Sequence, residues 1–257
     1  MSARFFVPGW SLPTGLRATF SLRSGGRSQG PWESLNLALH VGDAPQAVSA
    51  NRALLARDLD LPAEPLWLQQ VHGTRVSKVE EWQAGAQGRT ADAMVARGAG
   101  VLAIQVADCL PVLLASKDGA VYGAAHAGWR GLAGGVLEQT LVAMGVPPAK
   151  LTAWLGPCIR RDAFEVGDEV RAAFGQSFAW AFTPNNRGRW QCDLAAIAAA
   201  RLRAAGVTAL SDCGLCTYAD SQRFFSHRRD AAVLGSSGRM AALLWRAVSS
   251  RPEPWTT

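Results

Sequence analysis

The chain has 257 residues, 49% of them apolar and 18% charged, with a net charge of +6. This composition excludes general disorder, and no apolar run approaches the roughly 18 residues that a membrane helix needs. The length is enough to bury a substantial core without disulfides or structural metals, and residues 1–249 read as a single catalytic domain followed by a tail, 250–257.

In chain order, Arg4–Val7 and Arg17–Leu22 read as short strands joined by turns at Pro8, Gly9, Pro13 and Gly15. The same turn residues interrupt any continuous apolar stretch there. No signal peptide is read, and a cytoplasmic location is expected. A helix follows, with Asp43 as its cap, Pro45 in its first turn, and Val48, Leu54, Leu55 and Leu59 recurring until Pro62 stops it. Leu66–Val71 reads as a strand that ends at His72-Gly73. Gly100–Ala107, Pro111–Ser116 and Ala120–Ala125 are apolar strands, the last two joined through Lys117-Asp118-Gly119, a hairpin signal. Gly128 to Gly135 leads into one helix from about Leu132 to Met144, and Leu151–Leu155 is a further strand. Helices near Gly167–Phe174 and Asp193–Ala205 follow, the second capped by Asp193 and ended by Gly206. Strands at Phe224–Ser226 and Met240–Trp245 complete the domain. Strands and helices mix without a regular βαβ rhythm, so the expected class is α+β with a mixed sheet.

The basic excess is arginine, since lysine occurs only at Lys78, Lys117 and Lys150. A basic chain favours phosphates and nucleotides as partners. Its charge is dispersed and carries no nucleic-acid-binding motif, so nucleic acid is not expected. The five cysteines are odd in number and the expected compartment is reducing, which argues against a disulfide framework.

His72, Cys109 and His126 each fall at or just beyond the end of an apolar strand, where the backbone is anchored and the head group is free. Imidazole and thiolate are good zinc donors, and three protein ligands leave a fourth position open, as in catalytic sites. The same residues also suit a Cys109–His126 nucleophile–base dyad acting as a hydrolase, or a small buried thiol with two hydrogen-bonded histidines. Gly123, Gly128, Gly131, Gly134 and Gly135 before a helix suit either a phosphate cradle or close packing under Trp129. Arg228 and Arg229 beside His227 suit an anion or a local ion pair. Cys213-Gly214-Leu215-Cys216 is a lone CxxC and reads as two free thiols. Glu165 is a possible acid–base group.

Taken together, the chain resembles the YfiH/laccase-domain family, also called multicopper polyphenol oxidase-like or purine nucleoside phosphorylase family proteins. The resemblance runs through Ser34-Leu35-Asn36-Leu37, Gly42-Asp43, Asn51-Arg52, Gln70-Val71-His72-Gly73, Ala107-Asp108-Cys109-Leu110-Pro111, His126-Ala127-Gly128-Trp129-Arg130-Gly131, Gly156-Pro157-Cys158-Ile159, Phe164-Glu165-Val166, Phe225-Ser226-His227-Arg228-Arg229-Asp230 and Gly238-Arg239. Arg160, Arg161 and Ser237 depart from the residues usual at those places. The resemblance implies a four-layer α/β/β/α sandwich and a zinc held by His72, Cys109 and His126. It implies phosphorolysis of adenosine, inosine and methylthioadenosine, with deamination of adenosine. Asn36, Arg52, Arg130, Arg228 and Arg239 are the expected substrate-binding residues, the arginines as phosphate holders. Asp108 or Glu165 would carry the proton in deamination. The family has also been labelled a copper oxidase and a peptidoglycan-precursor editing enzyme; four histidines are too few for several coppers, while an editing amidase remains the alternative.

Overall fold

The computed structural model describes residues 3–82 and 88–247, so the tail expected at 250–257 lies outside the described residues. In chain order its strands are β1 (Phe5–Phe6), β2 (Leu16–Ser21), β3 (Leu66–Trp67), β4 (Val76–Lys78), β5 (Ala93–Ala96), β6 (Val101–Val106) and β7 (Leu110–Ser116), then β8 (Tyr122–Ala127), β9 (Leu151–Leu155), β10 (Glu165–Val166), β11 (Phe182–Pro184), β12 (Trp190–Cys192), β13 (Ala209–Asp212) and β14 (Met240–Arg246). The longer helices are α1 (Pro45–Asp58), α2 (Trp129–Gly134), α3 (Val136–Met144), α4 (Asp168–Phe174) and α5 (Leu194–Ala204).

Two mixed sheets form the centre, one in the order β1-β2-β14-β6-β3 and the other β13-β9-β7-β8-β5-β4, with a small antiparallel sheet β10-β12-β11 beside them. The period of two along each strand sorts side chains into three cores. Met240, Ala242 and Leu244 of β14 meet Leu113, Ala124 and Trp154 of the second sheet between the sheets. Ala241, Leu243 and Trp245 point the other way, onto Leu55 of α1 with Leu35 and Leu37. Val112, Leu114 and Ala125 on the outer face of the second sheet pack against Leu137 and Leu141 of α3 and Ile197 and Leu202 of α5. The layers are therefore α/β/β/α, as the resemblance implied. Each fully buried aliphatic side chain in these cores contributes about 1.5–3 kcal/mol of transfer free energy.

Local chemistry explains where the elements depart from expectation. The helix expected over 132–144 is broken in two by Gly135, whose φ is +97°. Asp43 does not cap α1; its carboxylate accepts from Ser28 Oγ (2.6 Å) and Asn36 Nδ2 (2.9 Å) instead. The strand from Leu66 stops at Trp67; beyond it Gln69 keeps only an isolated bridge to Thr90, and the amides of Val71, His72 and Gly73 are taken by the Asp92 carboxylate rather than by a neighbouring strand. Phe224–Ser226 forms no strand and leads into a π-helical turn, His227–Ala231. Its first amides go to side chains, Arg228 N–H to Asp108 and Arg229 N–H to Ser226 Oγ. The hairpin between β7 and β8 forms as expected, with Gly119 at φ +71° and Asp118 accepting from Ser116 Oγ and Ala120 N. Asp193 caps α5 by accepting from Ala196 N at 2.9 Å.

Candidate metal centre

Antiparallel pairing of β7 and β8 sets Pro111 opposite His126, which brings the residues just before β7 alongside the end of β8. Asp108, at φ +86°, turns the chain so that Cys109 faces His126. The third segment is the loop after β3, where His72 is held at φ +61°. Side chains from three distant stretches thereby converge. One ligand atom from each of His72, Cys109 and His126 lies within 4.8 Å of the others, and Cys109 Sγ is 3.7 Å from His72 Nε2. Among the described residues no other group of three or more such side chains has this geometry.

Asp92 organises the site, and the sequence reading missed it. It is completely buried at the head of β5. Its carboxylate accepts from the main-chain N–H of His72 (2.8 Å), Gly73 (2.7 Å) and Val71 (3.2 Å) and from His126 Nδ1 at 2.9 Å. One carboxylate therefore fixes the loop that carries His72 and sets the His126 tautomer, leaving Nε2 available as a ligand atom. A lone Asp directly before the apolar run Ala93–Ala96 was its only signal in the sequence.

The electrostatics of the metal-free protein follow from these contacts. Burial favours the neutral Cys109 thiol, but the His126 and His72 imidazoles outweigh it and bring the thiol down to about 6. Burial works against the His126 imidazolium, but Cys109 and Asp92 outweigh it and raise His126 to about 9. Burial pushes the thiols of Cys158, Cys192 and Cys213 up instead. Cys213 and Cys216 stand apart from the cluster, Cys213 beside the Arg160 guanidinium at 3.8 Å.

Two clefts open on this cluster. The smaller, about 140 Å³, is lined by His40, Gln70, Gln105, His227 and Arg239. The larger, about 320 Å³, is lined by Trp129, Arg130, Phe164, Leu194 and Arg228. His72, Cys109 and His227 border both. Arg130, Arg228 and Arg239 thus stand at the clefts. Arg52 and Asn36 do not line either one. Arg52 donates to Leu37 O (2.8 and 3.0 Å) and stacks 4.0 Å from the Trp67 ring centroid. Asn36 is fully buried, binding Ala38, Asp43 and the main-chain N–H of Arg239.

Neither expected proton carrier presents a free carboxylate to the clefts, although Asp108 borders the larger one. Asp108 accepts from Thr217 Oγ1 (2.6 Å), Ser226 Oγ (2.9 Å) and Arg228 N (2.7 Å). The Glu165 carboxylate lies on the small sheet with Asn185 and Arg187 and lines neither cleft. Arg229 is likewise structural, donating to the carbonyls of Thr217, Tyr218 and Phe224.

Three observations test whether these residues fit a zinc ion. The donor set of two imidazoles and one thiolate is one that zinc accepts with a position left open. The buried Asp92 carboxylate orients His126, as carboxylates behind metal-binding histidines do. The glycine before α2 leaves the ligands room, because a Cβ at Gly128 would sit 2.8 Å from His72 Cδ2 and 2.9 Å from Cys109 Sγ. Gly131 is a packing glycine, its Cβ position 2.7 Å from Gly73 O. The glycines therefore serve close approach rather than a phosphate cradle. Gly128→Ala is expected to weaken zinc binding by about tenfold or more, because the added methyl would push the His72 and Cys109 side chains out of place. Competition with a zinc chelator reads this directly; unchanged affinity would mean that the ligands are not crowded against α2.

Residues 17–247 match the family described as multi-copper polyphenol oxidoreductase laccase. A Pseudomonas aeruginosa protein named purine nucleoside phosphorylase is 45% identical over 246 residues, covering 94% of this chain and 98% of its own length. The Escherichia coli protein named purine nucleoside phosphorylase YfiH is 42% identical, covering 95% and 99%. Among solved structures, a Neisseria meningitidis protein assigned to DUF152 superposes with a TM-score of 0.89 at 42% identity, over 95% of this chain and 100% of that one. YlmD from Geobacillus stearothermophilus superposes with a TM-score of 0.87 at 31% identity, over 96% and 98%.

Proposed function

The chain belongs to the multi-copper polyphenol oxidoreductase laccase family, and from that membership and the site geometry we propose that it is a zinc-dependent purine nucleoside phosphorylase that also deaminates adenosine, acting in the cytoplasm. Relatives named purine nucleoside phosphorylase support nucleosides and phosphate as substrates. Among the described residues no helix is long and apolar enough to cross a membrane. The observation that carries the reading is the convergence of His72, Cys109 and His126 at the junction of two clefts.

Zinc, when held by those three side chains, supplies Lewis acidity at the junction. The chain's own residues do the rest. Trp129 and Phe164 offer flat apolar walls for a purine, with Arg130 stacked 4.3 Å above the Trp129 ring and Arg228 5.5 Å from the Phe164 ring centroid. The Arg228 guanidinium is steadied by donation to Glu165 O at 2.8 Å. With the Asp108 carboxylate taken up by three donors and Glu165 outside both clefts, His227, which borders both, is the group placed to move a proton to or from the base.

Incubation of the zinc-loaded protein with adenosine, inosine or methylthioadenosine plus phosphate tests the reading. Free base and a sugar 1-phosphate are expected from each, and inosine or hypoxanthine from adenosine. Absence of every one of these products from zinc-loaded protein would overturn it.

One observation favours a second reading, a metal-free Cys–His hydrolase such as a peptidoglycan-precursor editing amidase. Asp92 supplies the orienting third residue behind a thiolate–imidazolium pair. Alkylation of Cys109 in stripped protein is expected to follow a titration near pH 6 and to be blocked by zinc. Turnover that persists in stripped protein and dies on alkylation would favour the hydrolase.

A further inference from the structure

The two clefts differ in chemistry, and the difference divides the substrates between them. The smaller cleft has no carboxylate in its wall, and beyond the His72, Cys109 and His126 cluster its polar lining is His40, Gln70, Gln105, His227 and Arg239. The larger combines Trp129, Ile159, Phe164 and Leu194 with Arg130, Arg228 and the Asp108 carboxylate, and is more than twice the volume, about 320 Å³ against about 140 Å³.

Arg239 is the distinctive group. Its Nη1 donates to the carbonyls of Ser237 (2.7 Å) and Gly238 (3.1 Å), and its main-chain N–H is held by Asn36 Oδ1 at 2.9 Å. Those bonds fix the guanidinium plane. Its Nε and Nη2 have no hydrogen-bond partner among the described residues. A pre-oriented guanidinium edge with two free donors matches a pair of phosphate oxygens. His40 sits on the turn Leu39–Val41 at the same cleft, and Asn36 ties that segment to Arg239 by accepting from Ala38 N as well. Burial, then the nearby charge of Arg239, holds both His40 and His227 below the ordinary imidazole value.

We propose that inorganic phosphate binds in the smaller cleft on Arg239 and His40, with the purine of the nucleoside against Trp129 and Phe164 in the larger. The assignment rests on the phosphorolysis reading and gives each cleft its substrate. Phosphate then approaches the ribose from one side and the base departs on the other. A phosphate oxygen forms the bond to C1′ as the C1′–N9 bond breaks. The bonding pair leaves with the purine, which takes up a proton to give free base and ribose 1-phosphate. Asn36 is a positioning residue for Arg239.

The test is calorimetric titration of inorganic phosphate into the zinc-loaded full chain, with KM measured separately for phosphate and inosine. Arg239→Gln is expected to weaken phosphate binding at least about tenfold, the loss of a charge-assisted pair, while the inosine KM stays within about twofold. Arg239→Lys should keep part of the affinity, because a point charge replaces the fork. Phe164→Ala should do the reverse, raising the inosine KM and sparing phosphate. His40→Asn lies on an exposed turn and carries the same expectation for phosphate should Arg239→Gln fold poorly. Phosphate affinity unchanged in both Arg239→Gln and His40→Asn would overturn the proposal, as would a rise confined to the inosine KM. If no nucleoside is phosphorolysed yet phosphate binding still falls in Arg239→Gln, the anion site stands and only the reading of the reaction fails.

Discussion

Cys109→Ala is expected to release the bound metal and to lower kcat/KM for inosine phosphorolysis by about a thousandfold or more, equivalent to about 4 kcal/mol of transition-state stabilisation. The reason is geometric. The thiolate is the single soft donor, and it stands between two imidazoles whose ligand atoms lie within 4.8 Å of one another. Without it two nitrogen donors remain, and a pair of imidazoles with no third protein ligand holds zinc poorly. The fold should survive, because Cys109 is only partly buried, beside the core between the sheets rather than inside it. Elemental analysis, kcat/KM and thermal unfolding on one preparation separate these effects. Metal lost with the melting temperature of the stripped wild-type protein preserved is the expected pattern. Full activity in metal-depleted Cys109→Ala would contradict it.

Asp92→Ala is expected to damage both the site and the fold. Four hydrogen bonds end on that carboxylate, three from the loop that carries His72 and one from His126. Removing a fully buried acceptor leaves those donors without partners, at a cost of about 3–5 kcal/mol. Zinc affinity should fall by about 10- to 100-fold, as when other carboxylates behind metal histidines are lost. The pH dependence has a definite sign. Burial alone would raise the Asp92 carboxyl, but the His126 and Gly73 hydrogen bonds outweigh it and hold the group below its ordinary value. A depressed folded value means that this stabilisation is complete above about pH 4 and disappears as pH falls through the folded value. Wild-type unfolding temperature should therefore drop on the acid side more steeply than that of Asp92→Ala. Parallel curves between pH 3 and pH 6 would show that Asp92 does not carry this linkage.

The same two residues mark how far the sequence could be read. Cys109 was legible because a thiol just beyond an apolar strand, with histidines at similar places, has a recognisable chemistry. The hairpin at Asp118-Gly119 and the cap at Asp193 were legible because their hydrogen bonds are local. Asp92 was not, since its role depends on contacts with residues 19 to 34 positions away. For the same reason Asp108 reads as a candidate acid until Thr217 and Ser226, more than 100 residues distant, are seen to occupy it. Arg52 reads as an anion ligand until Trp67 and the Leu37 carbonyl are seen to hold it. The four-layer sandwich came from the family resemblance. Periodicity alone could not assign β5 and β8 to the second sheet and β6 and β14 to the first, because all four are buried almost along their whole length.

X-ray absorption at the zinc edge of the purified protein tests the central claim most directly. One sulfur at about 2.3 Å, two nitrogens at about 2.0–2.1 Å and one further light atom are expected around a single zinc per chain. A shell without sulfur, or protein that gains no zinc when the metal is supplied, would contradict the account.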